Sequence, residues 1–196
     1  MENRTKRNSR KKEKQVTKTA MKEIEKLARV HNLKDFKWMD PRSIIPRHWV
    51  RQKCIFGCRS YGQKACCPPE VPSIADCRGM FSEYRYGLFY HLSKKFADPK
   101  DRFPWGREVN RQALAFEREV FLAGFHKAFI FTAAPCNICE ACQRSKSQCR
   151  NPMLARPSLE AFGVDVYTTA RKIGYSIHVI KGYEEETDRF GLLLVQ

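Results

Sequence analysis

Residues 136–149 of this chain carry four cysteines, Cys136, Cys139, Cys142 and Cys149, as C-x2-C-x2-C-x6-C. Residues 54–67 carry four more, Cys54, Cys58, Cys66 and Cys67, as C-x3-C-x7-C-C. No other feature constrains the fold as strongly, because exposed thiols at this density oxidise unless something holds them. The total of nine is odd, the spacings are tight, and no apolar export segment begins the chain. That combination points to metal ligation by free thiolates in a reducing compartment, and the chain reads as cytoplasmic.

Three cysteines at steps of three curl a loop around an object with several corners. The C-x2-C-x2-C run of bacterial ferredoxins grips an iron–sulfur cube in this way. There the next cysteine follows after three residues and precedes a proline; here it follows after six, and Pro152 lies three residues beyond it. A tetrahedral zinc usually takes cysteines two at a time, from separated C-x2-C knuckles. Cys139-x2-Cys142-x6-Cys149, with Arg144 and Lys146 between, nevertheless resembles half of a fungal two-zinc, six-cysteine DNA-binding cluster whose other half is missing downstream. Thiolate suits both metals, so the spacing leaves iron and zinc open.

In the first group, Cys66 and Cys67 are neighbours whose side chains diverge, so both do not readily ligate one ion. Cys67, pinned by Pro68 and Pro69, is the expected ligand, and Cys66 a spare or core-facing residue. Cys54, Cys58 and Cys67 then form a three-thiolate set that needs a fourth ligand or leaves a corner open. His48 is the best outside candidate for that ligand. Cys77 falls in a helical stretch and is expected as a buried apolar residue. His91 and His178 lie in strand-like runs and read as core or rim residues. Arg51, Lys53, Arg59 and Lys64 surround the first group, and Arg144, Lys146 and Arg150 the second. Positive charge there would favour thiolates, although a chain of net charge +16 puts such residues on any loop. Glu160 and Asp165 can accept hydrogen bonds behind the ligands; equally, Glu160 suits a helix start and Asp165 a solvated helix face.

The charge is unevenly spread. Residues 1–18 hold eight Lys or Arg against two Glu, so six of the sixteen net charges sit there and the body keeps +10. With almost no apolar side chains, this arm cannot offset its own ordering entropy and is expected to be disordered. It can contact nucleic acid or anionic lipid through counterion release, or simply keep the chain in solution. No run of eighteen apolar residues is present, so no membrane span is expected.

Apolar periodicity predicts a helix over 16–32, with Ala20, Met21, Ile24, Leu27 and Ala28 in one stripe. It predicts another over 107–124, on Val109, Ala113, Phe116, Val120 and Ala123. A third is expected from a Ser158 cap through Leu159, Phe162, Val166, Ala170 and Ile173 to Gly174. Residues 73–84 are helix-like. Residues 86–92, 127–134, 176–180 and 190–195 read as strands, 35–46 as a short extended piece, and 51–72, without periodicity, as a loop. The expected fold is α+β: a mixed β-sheet covered by helices, with two cysteine-rich metal-binding loops. Residues 19–196 are expected to form a single domain behind the basic arm.

"KCIFGCRSYGQKACCPP", followed some seventy residues later by "PCNICEACQRSKSQCRNPMLARPSLEAFGVDV", resembles an uncharacterised bacterial and archaeal family described as predicted metal-binding proteins, a domain of unknown function. The likeness rests on Cys54, Cys58, Tyr61-Gly62, Cys67-Pro68-Pro69, Cys136, Cys139, Cys142, Cys149 and the stretch Arg156 to Ala161. It covers roughly residues 35 to 180, with Cys66 as a departure. It implies metal binding through those seven cysteines and brings no reaction with it.

The residues and the resemblance together lead to an expected metal-binding protein with one or two iron–sulfur clusters, 4Fe-4S in type. Its role would be redox or electron transfer with a partner protein. The alternative is a zinc-stabilised module that binds nucleic acid, through its basic arm and body, or a protein partner. A third class is an enzyme using an open-cornered cluster as a Lewis acid. No dinucleotide fingerprint, P-loop, H-E-x-x-H or nucleophile elbow is present.

Overall fold

The computed structural model describes residues 16–182 and 184–196. The basic arm assigned to residues 1–18 lies outside the described residues except at its end, where Thr17 caps the first helix. Helix α1 spans Lys18–Val30, and the Thr17 hydroxyl accepts the Ala20 N–H at 3.2 Å. Its Ala20, Ile24 and Ala28, spaced four apart, form the buried stripe. Strand β1 follows at Asp35–Met39, then α2 at His48–Gly57, α3 at Ile74–Ser82 and β2 at Tyr86–Lys94. The long α4 covers Arg102–Leu122, β3 is Phe129–Phe131, α5 is Val166–Lys172, and β4, Thr187–Val195, closes the sheet.

The strand order is β1-β2-β4-β3. All three pairings are antiparallel, where strands joined by long helices had suggested a mixed sheet. Along each strand, alternate residues face opposite sides. Leu88, Tyr90, Ile130, Leu193 and Val195 pack with Ile24 and Ala28 of α1 and Phe116 and Val120 of α4. Phe89, Phe131, Leu192 and Leu194 pack with Phe81 of α3, Val166 and Ala170 of α5, and Phe162. Both faces of the sheet are therefore covered, and β4 can read Leu192-Leu193-Leu194-Val195 without a polar interruption. The α+β class stands on this architecture. Gly191 lies opposite Tyr90, and a Cβ there would run into the Tyr90 ring. The glycine lets that side chain cross β4 and donate to the Phe131 carbonyl at 2.9 Å.

Three local expectations change. Residues 48–57 form α2 rather than a loop: the glycines and prolines that broke the pattern all lie from Gly57 onward, and Val50 anchors the helix. The helix expected from Ser158 to Ile173 is interrupted. A 3-10 turn at Glu160–Phe162 ends on Gly163 at φ 75°, and α5 restarts from Asp165, whose carboxylate accepts the Thr168 N–H at 3.1 Å. Asp165 is thus a helix cap rather than a solvated face residue. Residues 176–180 are irregular; only Ile177 of the run is buried, and its carbonyl takes the Arg171 guanidinium at 2.9 Å instead of a strand partner.

Gly163 fixes the course of the chain beside the first cysteine group, because the turn it ends carries Glu160. A Cβ at this position would also meet Ile74 Cδ1 at 2.5 Å. Gly163→Ala is expected to cost about 1–3 kcal/mol through left-handed strain and crowding. A urea titration should show a lower midpoint with an unchanged slope.

Candidate metal centre

Two buried polar residues on α4 position the second cysteine segment. Asn110, 1% exposed, and Glu117, 6% exposed, stand seven residues apart and so on one helix face. Asn110 Nδ2 donates to the carbonyls of Ala134 and Pro135, each at 3.3 Å, and to Asn137 Oδ1 at 3.0 Å. Glu117 Oε1 accepts the Ile130 N–H at 3.0 Å and Arg156 Nε at 2.8 Å. One residue holds the start of the loop and the other its end. Between them, Thr132 N–H donates to the Pro157 carbonyl at 3.0 Å, and Thr132 bridges to Ser158 in parallel. Residues 133–157 thus leave β3 and return beside it as a loop closed at the neck. Within the loop the backbone makes few bonds of its own, among them Cys149 N–H to Lys146 and Leu154 N–H to Asn151.

The sulfurs of Cys136, Cys139, Cys142 and Cys149 all line one small cavity, with Ala65, Ile138 and Ala155 as apolar walls. A fifth sulfur lines it too: Cys66, expected as a spare, belongs to this group. Donors point at several of these sulfurs. Asn151 Nδ2 reaches Cys139 Sγ at 3.0 Å, the Ala65 N–H reaches Cys142 Sγ at 3.4 Å, and Lys146 Nζ reaches Cys66 Sγ at 3.8 Å. A hydrogen bond between Cys66 and Cys136 sets their titration apart. It lowers the Cys136 pKa, helped by the Ile138 N–H and the Lys64 charge against burial, and it raises that of Cys66, where burial adds to it. The free space among the sulfurs is about 10 Å³, roughly that of one water. The Lys146 N–H also donates to Glu70 Oε2 at 2.7 Å, which ties the two cysteine segments together.

Cys54, Cys58 and Cys67 line a second, larger pocket of about 340 Å³. Cys54 sits on α2 and Cys58 caps its end, so the i, i+4 spacing puts both on one helix face. Cys67 is delivered by a string of turns, including Gly62 N–H to the Pro68 carbonyl at 2.9 Å; the Pro68–Pro69 bond is cis. Burial, then the Cys58 and Cys54 sulfurs, push the Cys67 thiol up to about 12. Burial and Cys58 raise Cys54 as well, against the Arg51 charge. Burial and neighbouring sulfur thus disfavour the thiolate at Cys54 and Cys67, and positive charge brought into the pocket would offset both.

The two pockets adjoin through consecutive residues. Cys66 lines the smaller and Cys67 the larger; likewise Cys136 lines the smaller and Pro135 the larger. The expected divergence of Cys66 and Cys67 therefore separates two neighbouring sites. Glu160, Ser158, Tyr61 and Arg189 also face the larger pocket. Glu160 is solvent-accessible through the pocket yet crowded by protein. Crowding raises its pKa, opposed by its own backbone N–H, the Ser158 hydroxyl and Arg189.

His48 is exposed at the start of α2 and lines neither pocket. Cys77 is fully buried in the core, as expected. His91 lies between Asp35 and Asp188, at 2.8 Å from each, and His178 pairs with Glu185 at 3.3 Å on the surface. All nine cysteines are free. Among the described residues, no three His, Cys, Asp or Glu side chains form a group that could hold a single metal ion as they stand. No described helix is long and apolar enough to cross a membrane. Sequence reasoning missed Asn110, Glu117, Asn151 and Arg189. Only the first two carried a signal: polar residues seven apart beside the apolar stripe of α4.

Arg156→Met should leave the Glu117 carboxylate buried with one partner lost. The expected cost is roughly 2–3 kcal/mol, because Arg156 is itself partly exposed. Chemical denaturation would measure it, and Glu117→Gln in the same background should recover part of the loss.

The chain belongs to the DUF2284 family, described as predicted metal-binding proteins, whose family model matches residues 37–195. No match was found among curated proteins or among solved structures.

Proposed function

We propose, from that family membership and the gathered sulfurs, that the chain is an iron–sulfur protein with an electron-transfer role. Cys136, Cys139, Cys142 and Cys149 hold one 4Fe-4S cluster, and Cys54, Cys58 and Cys67 hold a second. The observation that supports this most directly is that two sequence-distant cysteine segments line adjacent pockets divided by the Cys66–Cys67 and Pro135–Cys136 peptides. A cluster does not require its thiolates to converge on a point, because each binds a different iron. The donor set also fits: soft sulfurs, an amide and a backbone N–H aimed at them, and Lys64 and Lys146 nearby to offset anionic charge. When bound, such clusters supply one-electron exchange. The chain's part is to exclude water with Ala65, Ile138 and Ala155 and to set the potential through its N–H···S bonds. Cys66 stands against Cys136 as a fifth sulfur beside the ligands.

A redox partner has a docking surface beside the smaller pocket. Ile138 also lines a groove of about 840 Å³ along α4, where Phe121, Leu122, Met153 and Leu154 are exposed and Arg111 and Arg118 supply positive charge, Arg156 being paired with Glu117. An acidic partner with an apolar contact patch complements it. The second reading is a zinc ion on four of the same sulfurs, in a module that binds nucleic acid or a protein. The tight space of about 10 Å³ favours it, as does the basic body.

Metal and acid-labile sulfide analysis after anaerobic purification separates these readings. The expected result is a brown protein with iron and sulfide in equal amounts. Cys139→Ser and Cys67→Ser should each lose about half of both, while Cys66→Ser and the core variant Cys77→Ala keep them. A colourless protein with zinc and no sulfide would discard the iron reading. Asn151→Ala removes an N–H···S bond and is expected to lower the reduction potential of one cluster while its iron content stays unchanged; protein-film voltammetry would read the shift.

A further inference from the structure

The larger pocket has three cysteines, no histidine, and polar groups the metal reading does not use. The most distinctive is Arg189. It lies at the start of β4, half-buried, with its guanidinium 4.9 Å over the Trp105 ring. It makes no hydrogen bond or ion pair to a described side chain, although Glu160 lies close enough to favour its charge. Arg102 is a further charged neighbour and donates to Thr187 Oγ1 at 2.7 Å; Asp188 lines the same pocket. A Cβ on Gly106 would meet Arg189 Nη1 at 2.7 Å, so the glycine makes room for the guanidinium against α4. A half-buried guanidinium held on a ring face, beside a second one, keeps its planar fork of donors for a ligand. The Asp188 carboxylate does not answer it, being engaged with His91.

The rest of the pocket suits a small molecule. Its volume is in the range of small-ligand sites, and Ala133, Ala134, Pro135 and Ala161 give it apolar walls. The thiols of Cys54, Cys58 and Cys67 line the same space. Three thiolates on a four-cornered cluster leave one metal corner without a cysteine, and His48 does not reach it.

We infer that this pocket is a binding site for a small organic acid, its carboxylate paired with Arg189 and its far end presented to the corner that Cys54, Cys58 and Cys67 leave open. Arg189 is the specificity-determining residue, because its fork matches a planar carboxylate in a bidentate way. The apolar walls take the carbon skeleton, and Tyr61 and Ser158 offer hydroxyls to further polar groups. The inference rests on the iron–sulfur reading for the open corner but not for the Arg189 subsite.

The test uses 3-mercaptopropionate, which carries a carboxylate and a thiol, beside ethanethiol and propionate, which carry one each. Iron and sulfide are counted first on the anaerobic full-length chain. Each probe is then titrated, with the electron paramagnetic resonance spectrum of the reduced protein as the readout. We expect 3-mercaptopropionate to change the spectrum saturably and about tenfold or more tightly than ethanethiol. Arg189→Gln should remove that preference and leave the iron content and the ethanethiol response unaltered. Equal affinity for the two thiols in the wild-type chain would overturn the site without recourse to any variant. An unchanged spectrum in a fully loaded protein would also overturn it, as would a preference that survives in Arg189→Gln. If the chain takes up no iron, the same probes are followed by chemical shifts of the metal-free protein. Arg189-dependent binding of propionate would then keep the carboxylate subsite and discard only the metal corner, and its absence would overturn both.

Discussion

A carboxylate buried on a helix is costly unless every charge and lone pair is answered. Glu117 is answered by the Ile130 N–H and by Arg156, so α4, strand β3 and the end of the cysteine loop are held at one point. Asn110 does the same for the beginning of the loop, seven residues earlier on the same helix. Between these two anchors the loop has little regular structure of its own. Its cysteines come together because the neck is closed at β3 and Ser158, and because Ala65, Asn151 and Lys146 reach the sulfurs from the sides. The sheet, covered on both faces, supplies the rigid base for those anchors.

The same economy appears at the other cysteine segment. Helix α2 sets Cys54 and Cys58 one turn apart, and the turns from Cys58 to Pro69 bring Cys67 back to them. Because successive side chains in an extended or turning chain diverge, Cys66 and Cys67 end in different pockets. A single peptide then serves as the partition between two thiol-lined spaces, and Pro135–Cys136 forms the facing part of that partition. Electrostatics reach across it, since the Cys136 sulfur contributes to the raised pKa of Cys67. In the electron-transfer reading, this closeness is what makes two centres more useful than one.

Much of the architecture was legible in advance. The stripe on α1, the stripe on α4 and the apolar runs of β2 and β4 are local patterns, and each became the element it announced. The failures share a cause. The helix around Cys54 was hidden because the residues after Gly57 dominate the composition of that stretch, while its single buried anchor, Val50, precedes it. The break at Gly163 was invisible because the apolar stripe continues in register on both sides of it. The segment 176–180 looked like a strand, but no sheet edge receives it, and Arg171 takes its carbonyl instead.

By itself the sequence determined where the soft sulfurs gather along the chain, since eight of the nine cysteines fall into two tight spacings and spacing is a local property. The tertiary structure alone decided how those sulfurs are shared. Whether Cys66 faces the core or joins Cys136 depends on turns that are closed by contacts from residues 65 to 151, far apart along the chain. The same holds for Arg189, an ordinary charge at the start of a strand until β4 pairs with β2 and lays it against Trp105 beside the thiols. A short spacing records which neighbours a residue can have along one element. Which pocket its side chain enters is settled only once the sheet has brought distant elements together.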